Sequence, residues 1–124
     1  MNTRSDQEMF DLFYETFIIR AKPQCRGDGG CSYKPTNSDQ VGCAVGVALA
    51  PEDQIKWQDD LGGDFIDRIA SDHPEEYEKY FDQTQVKFLV GLQRLHDEAL
   101  EAGVEHADLA AREFAERHNL EVPE

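Results

Sequence analysis

The chain has no apolar run approaching the ~18 residues that a membrane-spanning helix needs. Its first ten residues, MNTRSDQEMF, lack the basic start and apolar stretch of a secretory signal, so a cytoplasmic location is the expectation. Basic residues are scarce: 12 Lys and Arg stand against 26 Asp and Glu, a net charge of −14. Arg20, Lys22, Arg26 and Lys34 form only a thin basic stretch. Direct nucleic-acid binding, which feeds on clustered Lys and Arg, is excluded, as is attraction to an anionic membrane. Cysteines number three, and Cys25, Cys31 and Cys43 lack the short C-x2-C or C-x4-C spacing of zinc knuckles. No two of the four histidines stand four apart. No metal or cofactor is expected, with Cys25, Cys31 and Cys43 as the only metal alternative. Repeats, low-complexity segments and linkers are also missing.

What is present suffices for one domain, residues 1–124. Hydrophobic residues make up 40% and aromatics 10% of 124 residues, too apolar for general disorder. Ser5 and Glu8 have the spacing of a capping box. Met9, Phe10, Phe13, Phe17 and Ile18 then recur at helical steps, which predicts a first helix with an aromatic core face, ending near Arg20. Further helices are predicted after Pro51, around Phe65–Ile69, from Pro74, from Val86 to Ala102 and from about Ala107 to His118. Leu89, Leu92, His96 and Ala99 form one stripe of the fifth. Gly103 ends that helix, and Asn119 with Leu120 reads as a left-handed C-cap of the last.

The stretch between residues 24 and 49 reads differently. Gln24 to Gly30 is a glycine-rich loop. It precedes no helix and no Lys-Ser/Thr pair, so it is not a phosphate loop. Arg26-Gly27-Asp28 spells an adhesion tripeptide, a coincidence in a chain without a secretion signal. From Val41 to Leu49, Val41, Cys43, Val45, Val47 and Leu49 alternate with Gly42, Ala44, Gly46 and Ala48, the period of a strand. Turn formers Pro35 to Asp39 would join this strand to Cys31–Lys34 as a β-hairpin, placing Cys31 opposite Cys43. The expected fold is α+β: a β-hairpin, or a small antiparallel sheet grown from it, packed against four to six helices.

Cys31-x-Tyr33, then Cys43-Ala44-Val45-Gly46 with Pro51 following, then Leu92-Gln93-x-x-His96-Asp97, resembles a family of small uncharacterised proteins of bacteriophage and bacterial genomes. The closing Phe114-Ala115-Glu116-Arg117-His118-Asn119-Leu120 is similar as well. The likeness runs from about residue 8 to residue 120. Lys34 departs from the family's usual Arg and Val45 from its Ile. The resemblance implies a phage or bacterial cytoplasmic setting and no particular chemistry.

Three functions compete. The leading one is a non-catalytic binding module for a host or bacterial protein or a small ligand. Its expected surface is the hairpin and preceding loop, with Arg26, Asp28, Tyr33, Lys34, Asn37 and Asp39 as binding candidates. The alternative is a cysteine hydrolase in which Cys43 is the nucleophile, His96 its base and Asp97 the orienting acid. Against it, consecutive residues on an α-helix point about 100° apart, which places Asp97 poorly for His96. Cys43 would also lie mid-strand among valines, the setting of an inert buried thiol. The third is a DNA-mimic inhibitor exploiting the acidic surface, although acidity also serves solubility or a high-salt cytoplasm. A Cys31–Cys43 disulfide is conceivable across the hairpin, while a cytosolic setting favours free thiols.

Overall fold

A computed structural model describes residues 5–20, 26–27, 30–31, 33, 42–61 and 66–123. Helix α1 (Asp6–Phe13) opens on the predicted capping box: the Glu8 N–H donates to Ser5 Oγ at 3.1 Å, and the Ser5 N–H donates to Glu8 Oε1 at 3.0 Å. The chain continues without a break as a π-helix, Tyr14–Ile19. The aromatic face is core throughout: Met9, Phe10, Phe13 and Phe17 are fully buried.

After the glycine-rich segment come α2 (Pro51–Ile55), with a π-helical continuation Lys56–Asp60, then α3 (Ile66–Asp72) and α4 (Pro74–Tyr77). Proline stands at the first position of α2 and of α4, where its missing N–H costs nothing. Ala50 cannot cap α2 with its side chain. Tyr80 substitutes: its hydroxyl accepts from the Ala50 N–H at 3.0 Å and donates to Asp53 Oδ2. Helix α5 (Val86–Arg94) runs into a π-helix, Leu95–Ala99, and a 3-10 turn, Leu100–Ala102. Gly103, at φ +106°, makes the bend into α6 (Val104–Arg117).

The end of α6 matches expectation in detail. Asn119 has φ +56°, the Leu120 N–H donates to the Ala115 carbonyl at 2.8 Å, and the Asn119 N–H donates to the Glu116 carbonyl at 3.3 Å. This is a Schellman closure, with asparagine in place of the usual glycine.

Helix α5 sits at the centre, packed against α1 and α3, while its π-helical end meets α6. Aromatic rings tie the layers together. Phe114 of α6 lies 6.2 Å from Phe10 and 5.3 Å from Phe88, and Phe17 meets the ring of His96 edge-on at 5.0 Å. Trp57 joins this core to the glycine-rich segment through Tyr33, edge-on at 5.4 Å.

Among the described residues the architecture is all-α apart from one β pairing of two residues a side, and the α+β expectation is corrected. Residues 42–49 do not form a strand. Ala44 and Val45 lie in a turn that tightens into a 3-10 helix, Gly46–Ala48. The Val47 N–H donates to the Cys43 carbonyl and the Leu49 N–H to the Gly46 carbonyl, bonds within the segment rather than across to a partner. Gly42 to Gly46, Ala48 and Leu49 are all buried. With both faces of the alternation inside, period two carries no information, because a short buried apolar run serves a helical turn as well as a strand. The β pairing among the described residues is two residues a side, Arg26↔Cys31 and Gly27↔Gly30. It closes the glycine-rich loop on itself. Cys31 thus faces Arg26, which overturns the hairpin that set it opposite Cys43; the expected turn at Pro35–Asp39 lies outside the described residues.

Two glycines decide how this turn packs. A Cβ on Gly46 would come within 2.3 Å of the Tyr33 carbonyl oxygen, and one on Gly42, itself at φ +99°, within 2.8 Å of the same atom. The backbone of Tyr33 lies directly on the turn. Gly46→Ala is expected to cost about 1–3 kcal/mol, at the upper end because backbone rather than a side chain must yield. Urea unfolding measures it; an unchanged midpoint would show that Tyr33 has room to retreat.

Candidate functional site

Two places combine chemistry-bearing side chains with defined geometry: a buried polar centre and an open groove. The centre gathers the residues singled out from the sequence. Cys43 is a free thiol, fully buried. It stands at the start of the turn that follows, and its Sγ accepts from the Gly46 N–H at 3.3 Å in the manner of an N-cap. Gln93 of α5, also fully buried, places its Nε2 3.9 Å from the same sulfur and 3.4 Å from the Tyr33 hydroxyl. The Gln93 Oε1 accepts from the Ile66 N–H at 3.0 Å, which caps the N-terminus of α3. Two glutamines of the second helical segment complete the frame. Gln54 donates to the Gly46 carbonyl at 2.8 Å, and Gln58 accepts from the Tyr33 N–H at 2.7 Å.

One helical turn beyond Gln93, His96 is fully buried, and its Nδ1 lies 2.8 Å from Asp97 Oδ1. The expectation that Asp97 is poorly placed for this ring is corrected. It assumed α-helical rotation, but both residues belong to the π-helical stretch Leu95–Ala99, which fits more residues into a turn and so rotates less per residue. Adjacent side chains there can meet. Tyr33, a binding candidate, is a core residue with its ring against Trp57.

The remaining candidates are placed only in part. Arg26 and Cys31 belong to the short β pairing, with nothing described of their side chains. Asp28, Lys34, Asn37, Asp39 and Cys25 lie outside the described residues. Among the described residues no three His, Cys, Asp or Glu side chains gather where a metal ion would sit. No described helix is long and apolar enough to cross a membrane.

The open groove was not anticipated. It has a volume of ≈ 470 Å³ and runs between the C-terminal half of α5 and α6. Gly91, Leu95, Ala99, Ala110 and Phe114 make its apolar surface; Arg94, Arg117, His106, His118, Glu98 and Glu113 make the polar one. Gly91 lets the helices close on each other, since a Cβ there would come within 2.8 Å of the Phe114 ring. His118 extends that ring surface, its centroid 4.4 Å from Phe114 and 5.2 Å from Phe88. The sequence held a partial signal: Arg94, Glu98, Glu113 and Arg117 recur at four-residue steps on two neighbouring helices.

A second hollow, ≈ 410 Å³, lies beside α4 and is lined by Lys56, Leu61 and residues 72–76. Its lysine is already paired. Lys56 Nζ is 2.8 Å and Lys79 Nζ 3.0 Å from the Glu76 carboxylate, and these hydrogen bonds hold Glu76 below the usual carboxylate range.

No family model, curated protein or solved structure matches this chain.

Proposed function

We propose that the chain is a non-catalytic binding protein of phage or bacterial type, taking a small ligand or a host or bacterial protein. One observation carries this reading. The thiol and the imidazole that a hydrolase would use are both fully buried in the frame that holds the fold together, whereas the open groove is lined by no thiol, hydroxyl or amine side chain. Buried polar groups satisfied by one another serve to specify a core. A concave, partly apolar groove with a few polar groups is the ordinary form of a small-molecule site.

The hydrolase reading keeps two observations in its favour. Asp97 does hold His96, and Cys43 sits at the start of a helical turn with N–H groups directed at its sulfur. Iodoacetamide labelling separates the readings. In the native protein at neutral pH, Cys43 is expected to label roughly a hundredfold slower than in the denatured chain, because reagent reaches it only through local opening. Mass spectrometry of the singly labelled protein locates the modification. Rapid, selective labelling at Cys43 that disappears in His96→Ala would make the chain a cysteine hydrolase instead.

A further inference from the structure

We infer that the groove between α5 and α6 is a binding site for an aromatic organic anion, a flat ring system carrying a carboxylate, sulfonate or phosphate. This rests on the binding reading above and names its ligand class. Three features support it.

The first is shape and surface. A hollow of ≈ 470 Å³ accommodates one small organic molecule, and the rings of Phe114 and His118, inclined at 44° to each other, put aromatic surface on one side. Aromatic ligands stack on such surfaces in offset or edge-on geometry.

The second is charge. Arg94 and Arg117 line the groove from its two helices, and Glu98 and Glu113 balance them, so the lining is formally neutral. The whole surplus of 14 acidic charges therefore lies on the rest of the chain. Acidic groups more than about 8 Å away are largely screened at physiological ionic strength, so the field inside the groove is set by its own lining, in which the Arg94 guanidinium is the cation with no ion pair among the described residues.

The third is availability. Among the described residues Arg94 makes no side-chain ion pair. Arg117 has only a 3.9 Å approach to Glu113, with both side chains 74% exposed. Three other cations are already engaged: Lys56 and Lys79 hold Glu76, and Arg112 holds Asp108 and Tyr14. A guanidinium without a partner is suited to a bidentate oxyanion. A metal ion is disfavoured as occupant, since no three ligating side chains converge among the described residues.

The test compares two fluorescent probes with the same ring skeleton, anionic 1-anilinonaphthalene-8-sulfonate and neutral N-phenyl-1-naphthylamine. Both are titrated into the full chain, with circular dichroism and melting curves to confirm that each variant is folded. The sulfonate is expected to bind, and the Arg94→Gln, Arg117→Gln double variant to weaken it about tenfold while leaving the neutral probe unchanged. Both arginines are solvent-facing, so their loss does not endanger the fold. Ala110→Phe, which fills the groove, is expected to abolish binding of both probes. If both probes bind equally and the arginine variant changes neither, the anion assignment is overturned and groove binding stands. If Ala110→Phe folds and binds both as the parent does, the groove is not a ligand site at all.

Discussion

Phe13→Ala is expected to lower stability by about 3–5 kcal/mol, the range for emptying a fully buried phenylalanine site. Phe13 has no exposed surface, and its ring stacks at a tilt on Phe17, 5.5 Å away, which in turn meets His96. Losing it leaves a cavity where α1 passes into its π-helical continuation. The position lies inside a continuous helix, so the backbone cannot readily collapse into the space. In a chain of this length the melting point is expected to fall by roughly 10–20 °C. Calorimetry measures the shift directly. A change below about 1 kcal/mol would mean that the aromatic face is less tightly packed than the geometry shows.

Gln93→Ala is expected to cost a similar amount, about 3–5 kcal/mol, for a different reason. Little apolar burial is lost. The damage comes from removing the shared partner of the Ile66 N–H, the Tyr33 hydroxyl and the Cys43 sulfur. A buried donor stripped of its acceptor costs about 1–3 kcal/mol, and the volume once filled by the amide adds a cavity term. The Ile66 N–H lies at the start of α3, where no intrahelical acceptor exists, so α3 should loosen first. Amide hydrogen exchange would show this as faster exchange across Ile66–Asp72 than across α6. A double-mutant cycle with Tyr33→Phe should give a coupling of about 0.5–1.5 kcal/mol. Zero coupling would mean that the 3.4 Å approach between Gln93 and Tyr33 contributes nothing.

The centre around Gln93 brings together residues from three separate parts of the chain. Tyr33, Gly42, Cys43, Gly46, Gln93 and His96 are far apart in the chain and belong to one buried assembly. The glycines let the Tyr33 backbone lie on the turn, Cys43 starts the turn, and Gln93 joins both to α3. Function is better sought on the surface.

What the sequence determined by itself was local. The capping box of Ser5 and Glu8, the core face of α1, the prolines opening α2 and α4, the buried stripe Leu89, Leu92, His96 and Ala99, and the closure at Asn119 and Leu120 were all legible. Each depends on residues within a turn or two of each other, where propensity and hydrogen-bond geometry settle the outcome. Tertiary structure decided the rest. Residues 42–49 became a helical turn because both of their faces are buried, so the strand-like alternation had no solvent side to give it meaning. Asp97 reached His96 because α5 passes into a π-helix there, a change of winding that the residue pattern did not signal. Gln54, Gln58 and Gln93 gained their partners only when Tyr33 and the 42–49 turn came to lie against them. The groove exists only because α5 and α6 meet across Gly91, bringing Arg94 and Arg117 to one hollow. Burial on all sides, the partners of a buried amide and the shape between two helices are set by packing between distant segments, and no local pattern encodes them.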